Sequence, residues 1–124
     1  MHRRRDHYKI IPISVTLFTH SGLTRITLPK GVKDLSGNAF QYCMSLATVT
    51  LQDGLNTIGE NAFFCCTLLK TLNMPASVKS IGNRAFYECQ SLAKITYNGT
   101  VQDWESVYVD QTAFADVGHA ITVK

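Results

Sequence analysis

The feature that most constrains the fold of this chain is a pattern of residues that returns every 23 positions. Three copies carry alanine, phenylalanine, cysteine and leucine at matching positions: Ala39, Phe40, Cys43 and Leu46; Ala62, Phe63, Cys66 and Leu69; Ala85, Phe86, Cys89 and Leu92. A fixed period of this length is typical of solenoids, in which each unit buries its apolar side only by stacking on its neighbours. The phenylalanines are therefore predicted to be core residues rather than a binding stripe.

The opening of each repeat predicts a short strand. Apolar residues alternate there with polar ones: Ile26 and Leu28; Val49 and Leu51; Leu72 and Met74; Ile95 and Tyr97. Alternation of this kind is typical of a half-buried strand. Pro29 and Pro75 are expected to end their strands, because proline cannot donate to a central ladder. In register, the strands would form one parallel sheet.

The rest of each repeat predicts a return path for the chain. A second extended segment carries apolar residues three positions apart: Val32 and Leu35; Leu55 and Ile58; Val78 and Ile81. The apolar residues from Ala62 to Leu69 then fall at spacings of three and four, which predicts a single helical turn. Gly59 and Gly82 are expected to allow a backbone bend before that turn.

These residues resemble a known repeat family. The pattern L-x-x-I-x-L-P-x-x-L-x-x-I-G-x-x-A-F-x-x-C-x-x-L is similar to the BspA-like leucine-rich repeat family of mostly bacterial surface proteins, and the match covers residues 23–97 closely. Residues 97–104 resemble the Y-x-G-T-x-x-x-W closing segment common in that family. Ala113-Phe114 resembles a final A-F pair, five residues later than the period gives.

The resemblance implies both an architecture and a role. The implied fold is a leucine-rich repeat right-handed solenoid, with a short parallel β-sheet on the concave face and extended segments and single helical turns on the convex side. The implied role is adhesion or protein binding. We expect a basic N-terminal arm and degenerate capping repeat over 1–22, three full repeats and the start of a fourth over 23–97, and a C-terminal capping segment over 98–124. Trp104 is expected to cover the end of the core rather than to contact a ligand.

The basic charge of the chain belongs to its N-terminal arm. Residues 1–9 hold four basic side chains and one acidic side chain, which equals the net charge of +3 for the whole chain. Arg3, Arg4 and Arg5 could bind nucleic acid, a membrane surface or an acidic partner, or could simply be a solvated tail. Both nucleic acid and membrane are disfavoured as partners, since no nucleic-acid-binding motif accompanies the charge.

The N-terminus also has the outline of a signal peptide, with a basic stretch followed by the apolar run 10–18. Pro12 and Thr16 interrupt that run, and no small-x-small cleavage site follows it. We therefore expect an uncleaved tail or cap. The family resemblance favours an extracellular or cell-surface location, and the sequence leaves a cytoplasmic location open. The sequence contains no run of 18 apolar residues, so no transmembrane helix is predicted.

The cysteines and histidines do not predict a catalytic or metal site. Cys43, Cys66 and Cys89 lie too far apart for the close pairs of zinc sites, so we expect buried free thiols. Cys65 stands outside the pattern and is expected to point outward as the reactive thiol, or as an incidental surface cysteine. His20 and His119 lie near opposite ends of the repeats. We predict a chain that is not an enzyme and uses no cofactor or metal.

The predicted binding surface is the outward side of the strands. Two columns of side chains would face solvent there: Arg25, Thr48, Thr71 and Lys94; Thr27, Thr50, Asn73 and Thr96. Threonine suits exposed strand positions on propensity alone, so a plain solvent-facing sheet is an open alternative. The functional interpretation is a polar surface, basic at both ends of the first column, that binds a protein or a glycan.

The predicted function is thus non-catalytic protein binding through the concave sheet, of the adhesion type. One alternative is a structural role, in which the short solenoid self-associates end to end through its poorly covered first repeat. A weaker alternative is electrostatic targeting to nucleic acid or membrane by the arginine-rich arm. The identity of the partner does not follow from the sequence.

Overall fold

The computed structural model describes residues 22–35, 37–115, 117 and 122–123. Over these residues the chain winds as a parallel-strand solenoid with two sheets, which confirms the predicted fold class. The strands and the helix are β1 (Arg25–Thr27), β2 (Asp34–Leu35), β3 (Thr48–Thr50), β4 (Thr57–Ile58), β5 (Thr71–Pro75), β6 (Ser80–Ile81), β7 (Lys94–Asn98), α1 (Val101–Glu105), β8 (Tyr108–Val109) and β9 (Thr122–Val123). The five-stranded sheet has the order β1-β3-β5-β7-β9, and the four-stranded sheet has the order β2-β4-β6-β8.

The register of the five-stranded sheet reproduces the sequence period. Ile26 pairs with Val49, and Val49 with Leu72 on the next strand, each step spanning one repeat. Val49 and Leu72 are buried, whereas their neighbours on either side point outward. The alternation in the sequence therefore placed the inward side chains correctly. β5 ends at Pro75, as the missing proline N–H requires.

The second extended segment of each repeat forms the four-stranded sheet. Leu35 pairs with Ile58 and Ile58 with Ile81, all three buried. The residues three positions earlier, Val32, Leu55 and Val78, are buried as well. Each repeat thus contributes one strand to each sheet, with the apolar core between the two.

The segments predicted as single helical turns are hydrogen-bonded turns of a tighter kind. In the central repeat, the Phe64 N–H donates to the Asn61 carbonyl and the Cys66 N–H to the Phe63 carbonyl, each three residues back. Asn61 and Cys65 have positive φ angles of 58° and 61°, which an α-helix does not accommodate. Spacings of three and four bring side chains to the same side in either conformation.

The backbone of each turn bonds to the next repeat. The N–H groups of Asn61, Phe63 and Cys65 donate to the carbonyls of the matching turn, at 3.0, 2.7 and 2.9 Å. The acceptors are the carbonyls of Asn83, Ala85 and Tyr87. These bonds satisfy backbone groups that an isolated turn would leave to solvent.

Gly82 allows a close approach between repeats. Its φ lies outside the left-handed region, whereas Gly54 has a φ of 99°. A Cβ atom on Gly82 would lie 3.0 Å from the Glu60 nitrogen and 3.1 Å from the Gly59 carbonyl carbon. The close approach of two backbones therefore accounts for glycine at this position, and the expected bend stays a prediction.

The core is organised as ladders of identical side chains. Phe63 stacks on Phe40 at 5.2 Å and on Phe86 at 5.1 Å between ring centroids, and Phe86 stacks on Phe114 at 5.0 Å. Each of the three full repeats also buries a cysteine three residues after its phenylalanine, and the Cys66 thiol donates to the Phe40 carbonyl at 3.2 Å. The prediction of a buried phenylalanine and cysteine core is confirmed.

The C-terminal segment contains one inserted helix. α1 begins after Thr100, whose hydroxyl accepts from the Asp103 N–H, while the Asp103 carboxylate accepts from the Thr100 N–H. The half-buried Trp104 ring lies 5.1 Å from the Tyr97 ring, as expected for a residue that covers the core. The helix has five residues, and the final Ala113-Phe114 pair comes five residues later than the 23-residue period gives.

Candidate binding surface

The outward residues of the five-stranded sheet form two columns in register. Arg25 pairs with Thr48, Thr48 with Thr71, and Thr71 with Lys94. The second column follows the same steps two positions later in each strand, from Thr27 to Thr50 to Asn73. All of these side chains are exposed except Thr71, which is half-buried. We call this surface the strand face and define it by these residues: Arg25, Thr27, Thr48, Thr50, Thr71, Asn73 and Lys94.

Thr96, the expected fourth member of the second column, does not face solvent. It is only 6% exposed. Its strand, β7, is paired on one side with β5 and on the other with β9, where Thr96 lies opposite Thr122. The expectation of an exposed Thr96 is therefore wrong, although Thr50 and Asn73, which also have strands on both sides, are exposed.

The polar groups of the strand face are available for bonding. Among the described residues, none of its seven side chains takes part in a hydrogen bond or an ion pair. Their hydroxyl, amide and cationic groups therefore bond to solvent or to a partner.

Lys70 adds a cation that the sequence reasoning missed. It is exposed and immediately precedes β5, so it lies just outside the predicted columns. Its carbonyl accepts from the N–H groups of Ala93 and Lys94, at 3.0 and 3.3 Å, which places it beside Lys94. The signal was present in the sequence, since residue 70 directly precedes a column member.

A second surface lies on the turns. The rings of Tyr42, Phe64 and Tyr87 are half-buried and contact one another, with centroid distances of 5.3 and 5.5 Å. The Arg84 guanidinium lies 5.6 Å from the centroid of the Tyr87 ring. These contacts join neighbouring repeats outside the core.

Cys65 is not the open thiol that its position in the sequence indicated. It is only 9% exposed, and its Sγ lies 3.7 Å from Oε1 of Glu88, one repeat later. Burial, the charge of Glu88 and the hydrogen bond to that carboxylate all raise the pKa of the Cys65 thiol. The expectation of an outward, reactive thiol is therefore wrong, because Glu88 covers it and stabilises its protonated form.

The buried cysteines have still weaker acidity. Burial raises the pKa of Cys89 to about 12, and it raises the pKa of Cys66 further. The Cys89 thiol donates to the Phe63 carbonyl at 3.1 Å. Since the thiolate is the reactive form, these side chains behave as small apolar core residues.

The four cysteine thiols are expected to resist modification in the folded protein. At about pH 8, Ellman's reagent should react at least tenfold more slowly with every thiol than it does after unfolding in guanidinium, because the reactive thiolate is buried or suppressed. The absorbance of released thionitrobenzoate measures this rate. One thiol that reacted rapidly in the folded protein would contradict the covered position of Cys65, and Cys65→Ser would identify it.

The remaining sequence-based expectations fall partly outside the described residues. Arg3, Arg4 and Arg5, the first repeat proposed for self-association, His20 and His119 all lie there. Within the described ranges, no group of three or more His, Cys, Asp or Glu side chains could hold a metal ion. No helix in that same part of the chain is long and apolar enough to cross a membrane.

Comparisons with known proteins agree with this geometry. The model of the BspA type leucine rich repeat region matches residues 9–119 in six copies. A leucine rich cell surface protein from Faecalibacterium prausnitzii is similar in structure, with 44% sequence identity, a TM-score of 0.58, and coverage of 60% of this chain and 20% of that chain. No curated protein matches the sequence.

A second solved structure supports the fold alone. The pneumococcal vaccine antigen PcpA is similar with a TM-score of 0.64 and 18% identity. The alignment covers 91% of this chain and 36% of that chain. The chain thus spans about a fifth and about a third of the lengths of these two proteins.

Proposed function

Because the chain belongs to the BspA type leucine rich repeat family, we propose that it is a non-catalytic module that binds a protein partner through the strand face. The observation that carries the proposal is the ordered set of exposed polar side chains with no partner among the described residues. Adhesion at a cell surface is the context that we propose for this binding, supported by the resemblance to a leucine rich cell surface protein.

The geometry of the sheet favours a protein as the partner. Successive strands present side chains about 4.8 Å apart, so a partner that crosses the sheet meets a hydroxyl, amide or cation at each step. Thr48 and Thr50 are small, and they leave the backbone of the partner room to approach. Specificity would then come from the less common members of the columns, Arg25, Asn73 and Lys94.

Replacing three uncharged members of the strand face tests the proposal. Thr48→Ala, Thr71→Ala and Asn73→Ala together should lower the recovery of bound proteins at least tenfold, because about three hydrogen-bonding groups are removed from the contact. The proteins are captured from the surface fraction of the native source, and each is quantified by mass spectrometry. The best of them is then purified and its affinity measured by calorimetry.

The matched control lies on the four-stranded sheet. Asn56→Ala, Thr57→Ala and Ser80→Ala remove similar groups of similar exposure there. The control should keep wild-type affinity, and both triple variants should melt within a few degrees of the wild type, since exposed polar changes cost little stability. Equal binding by the two triple variants would exclude the strand face as the contact. Failure of the wild type to bind any purified candidate would contradict a protein-binding role.

A further inference from the structure

One edge of the strand face carries an excess of positive charge. Arg25 and Lys94 begin β1 and β7, and Lys70 directly precedes β5, so all three lie at the amino-terminal ends of the strands. Each is exposed. We call these three residues the basic edge.

The described carboxylates lie elsewhere on the molecule. Asp34 begins β2, Asp110 follows β8, and Glu60 and Glu88 belong to the turns. At the carboxyl ends of the strands, Asp53 follows β3, Asp103 and Glu105 belong to α1, and one further cation, Lys30, follows β1. The basic edge therefore has no acidic side chain within its own columns, and none of its three cations forms an ion pair with a described residue.

The spacing of the basic edge fits an extended chain. Arg25 and Lys94 are three strand steps apart, or about 14 Å at the usual separation of parallel strands. An extended peptide advances about 3.4 Å per residue, so carboxylates four residues apart would reach both cations. Thr48 and Thr71 lie between the two, and their hydroxyls can donate to the same carboxylates.

We propose that the basic edge binds an extended, acidic segment of a protein partner, with Arg25, Lys70 and Lys94 as its cation contacts and the Thr48 and Thr71 hydroxyls between them. This inference rests on the proposed function and specifies the chemistry of the partner. An acidic protein fits better than a nucleic acid, because three cations are few for a phosphate backbone and the strand face has no aromatic ring on which a base could stack.

A defined peptide tests the charge requirement. A fluorescent glutamate decapeptide should bind the wild-type chain about tenfold more tightly than a glutamine decapeptide at about 50 mM salt, and the difference should shrink as salt screens the charges. Fluorescence anisotropy measures both affinities. Equal affinities for the two peptides would overturn the proposal.

Two charge-matched variants locate the contact. Arg25→Gln, Lys70→Gln and Lys94→Gln together should reduce binding of the glutamate peptide about tenfold. Lys33→Gln, Lys79→Gln and Arg84→Gln remove the same total charge away from the strand face and should change it less than twofold. Equal losses in the two variants would overturn the proposal, since they would indicate a general effect of net charge.

Two further binding measurements distinguish failure of this inference from failure of the proposed function. Tighter binding of a single-stranded DNA oligonucleotide than of the glutamate peptide, with the same dependence on the basic edge, would overturn the assignment to an acidic protein. The purified native partner could lose affinity for the variant changed at Thr48, Thr71 and Asn73 but not for the variant changed at Arg25, Lys70 and Lys94. That result would support the proposed function and contradict this inference. Weaker binding of the native partner by both triple variants would support the proposed function and this inference together.

Discussion

Replacing Phe63 with alanine is expected to remove about 3–5 kcal/mol from the free energy of unfolding, the usual range for emptying a buried aromatic site. The Phe63 ring is fully buried and lies between two others, with interplanar angles of 6° on both sides. Its loss therefore leaves a cavity whose walls are the rings of Phe40 and Phe86. Small domains have about 5–15 kcal/mol of stability, so this variant should approach complete unfolding.

Urea denaturation measures the effect, and the single tryptophan provides the signal. Trp104 contacts Tyr97 at the edge of the core, so its fluorescence reports on the stack as a whole. The matched control is Phe64→Ala, the same substitution one position along the chain. Phe64 is half-buried and belongs to the outer aromatic contacts, so its loss should cost about half as much or less. Similar losses for the two variants would contradict the placement of Phe63 in the core.

A methyl group on Gly82 is expected to destabilise the chain by about 1–3 kcal/mol, as overpacking usually does. The atoms that it would meet at 3.0–3.4 Å belong to the backbone of Gly59 and Glu60, which cannot rotate away. The two repeats must then separate slightly, which weakens the 2.8 Å bond from the Gly82 N–H to the Ile58 carbonyl. Thermal and urea denaturation of Gly82→Ala would measure the loss.

Gly22→Ala is the control for this substitution, because a Cβ atom there would meet nothing within 4 Å. Its stability should stay within about 0.5 kcal/mol of the wild type, as for most exposed changes. If Gly82→Ala were equally neutral, close approach of the repeats would not be the reason for glycine at that position.

The sequence predicted the stacking of repeats because each apolar column depends on one period. Phe40, Phe63 and Phe86 are 23 residues apart, and stacking the repeats in register buries all three in the same environment. The same argument gave the strand register, including the pairing of Thr48 with Thr71. A repeat pattern thus carries long-range contact information that a non-repeating sequence lacks.

The details that escaped prediction depend on atoms outside the pattern. The spacing of the apolar residues does not distinguish a helical turn from the tighter turn with positive φ at Asn61 and Cys65, since both turns bring the same side chains inward. The burial of Thr96 does not follow from its place in the column, and the cover over Cys65 comes from Glu88, one repeat later. The position of a residue in a column predicts which way its side chain points, whereas the exposure of that side chain depends on the groups that pack against it.

The hydrogen bonds between turns also align peptide dipoles along the stack of repeats. The N–H of Phe40 donates to the Ala62 carbonyl, the N–H of Phe63 to the Ala85 carbonyl, and the N–H of Phe86 to the Ala113 carbonyl. The carbonyl that accepts and the N–H that donates next belong to the same peptide unit, as they do along the hydrogen-bond rows of an α-helix.

Among the residues that the structure describes, three such rows run side by side, and their first N–H groups there are those of Asn38, Phe40 and Tyr42. Their peptide dipoles point the same way and add, with the positive pole toward the later repeats, the reverse of the α-helical sense. Dipoles in a row polarise one another, so each added repeat strengthens the bonds already formed. The turns therefore favour long arrays electrostatically as well as through burial.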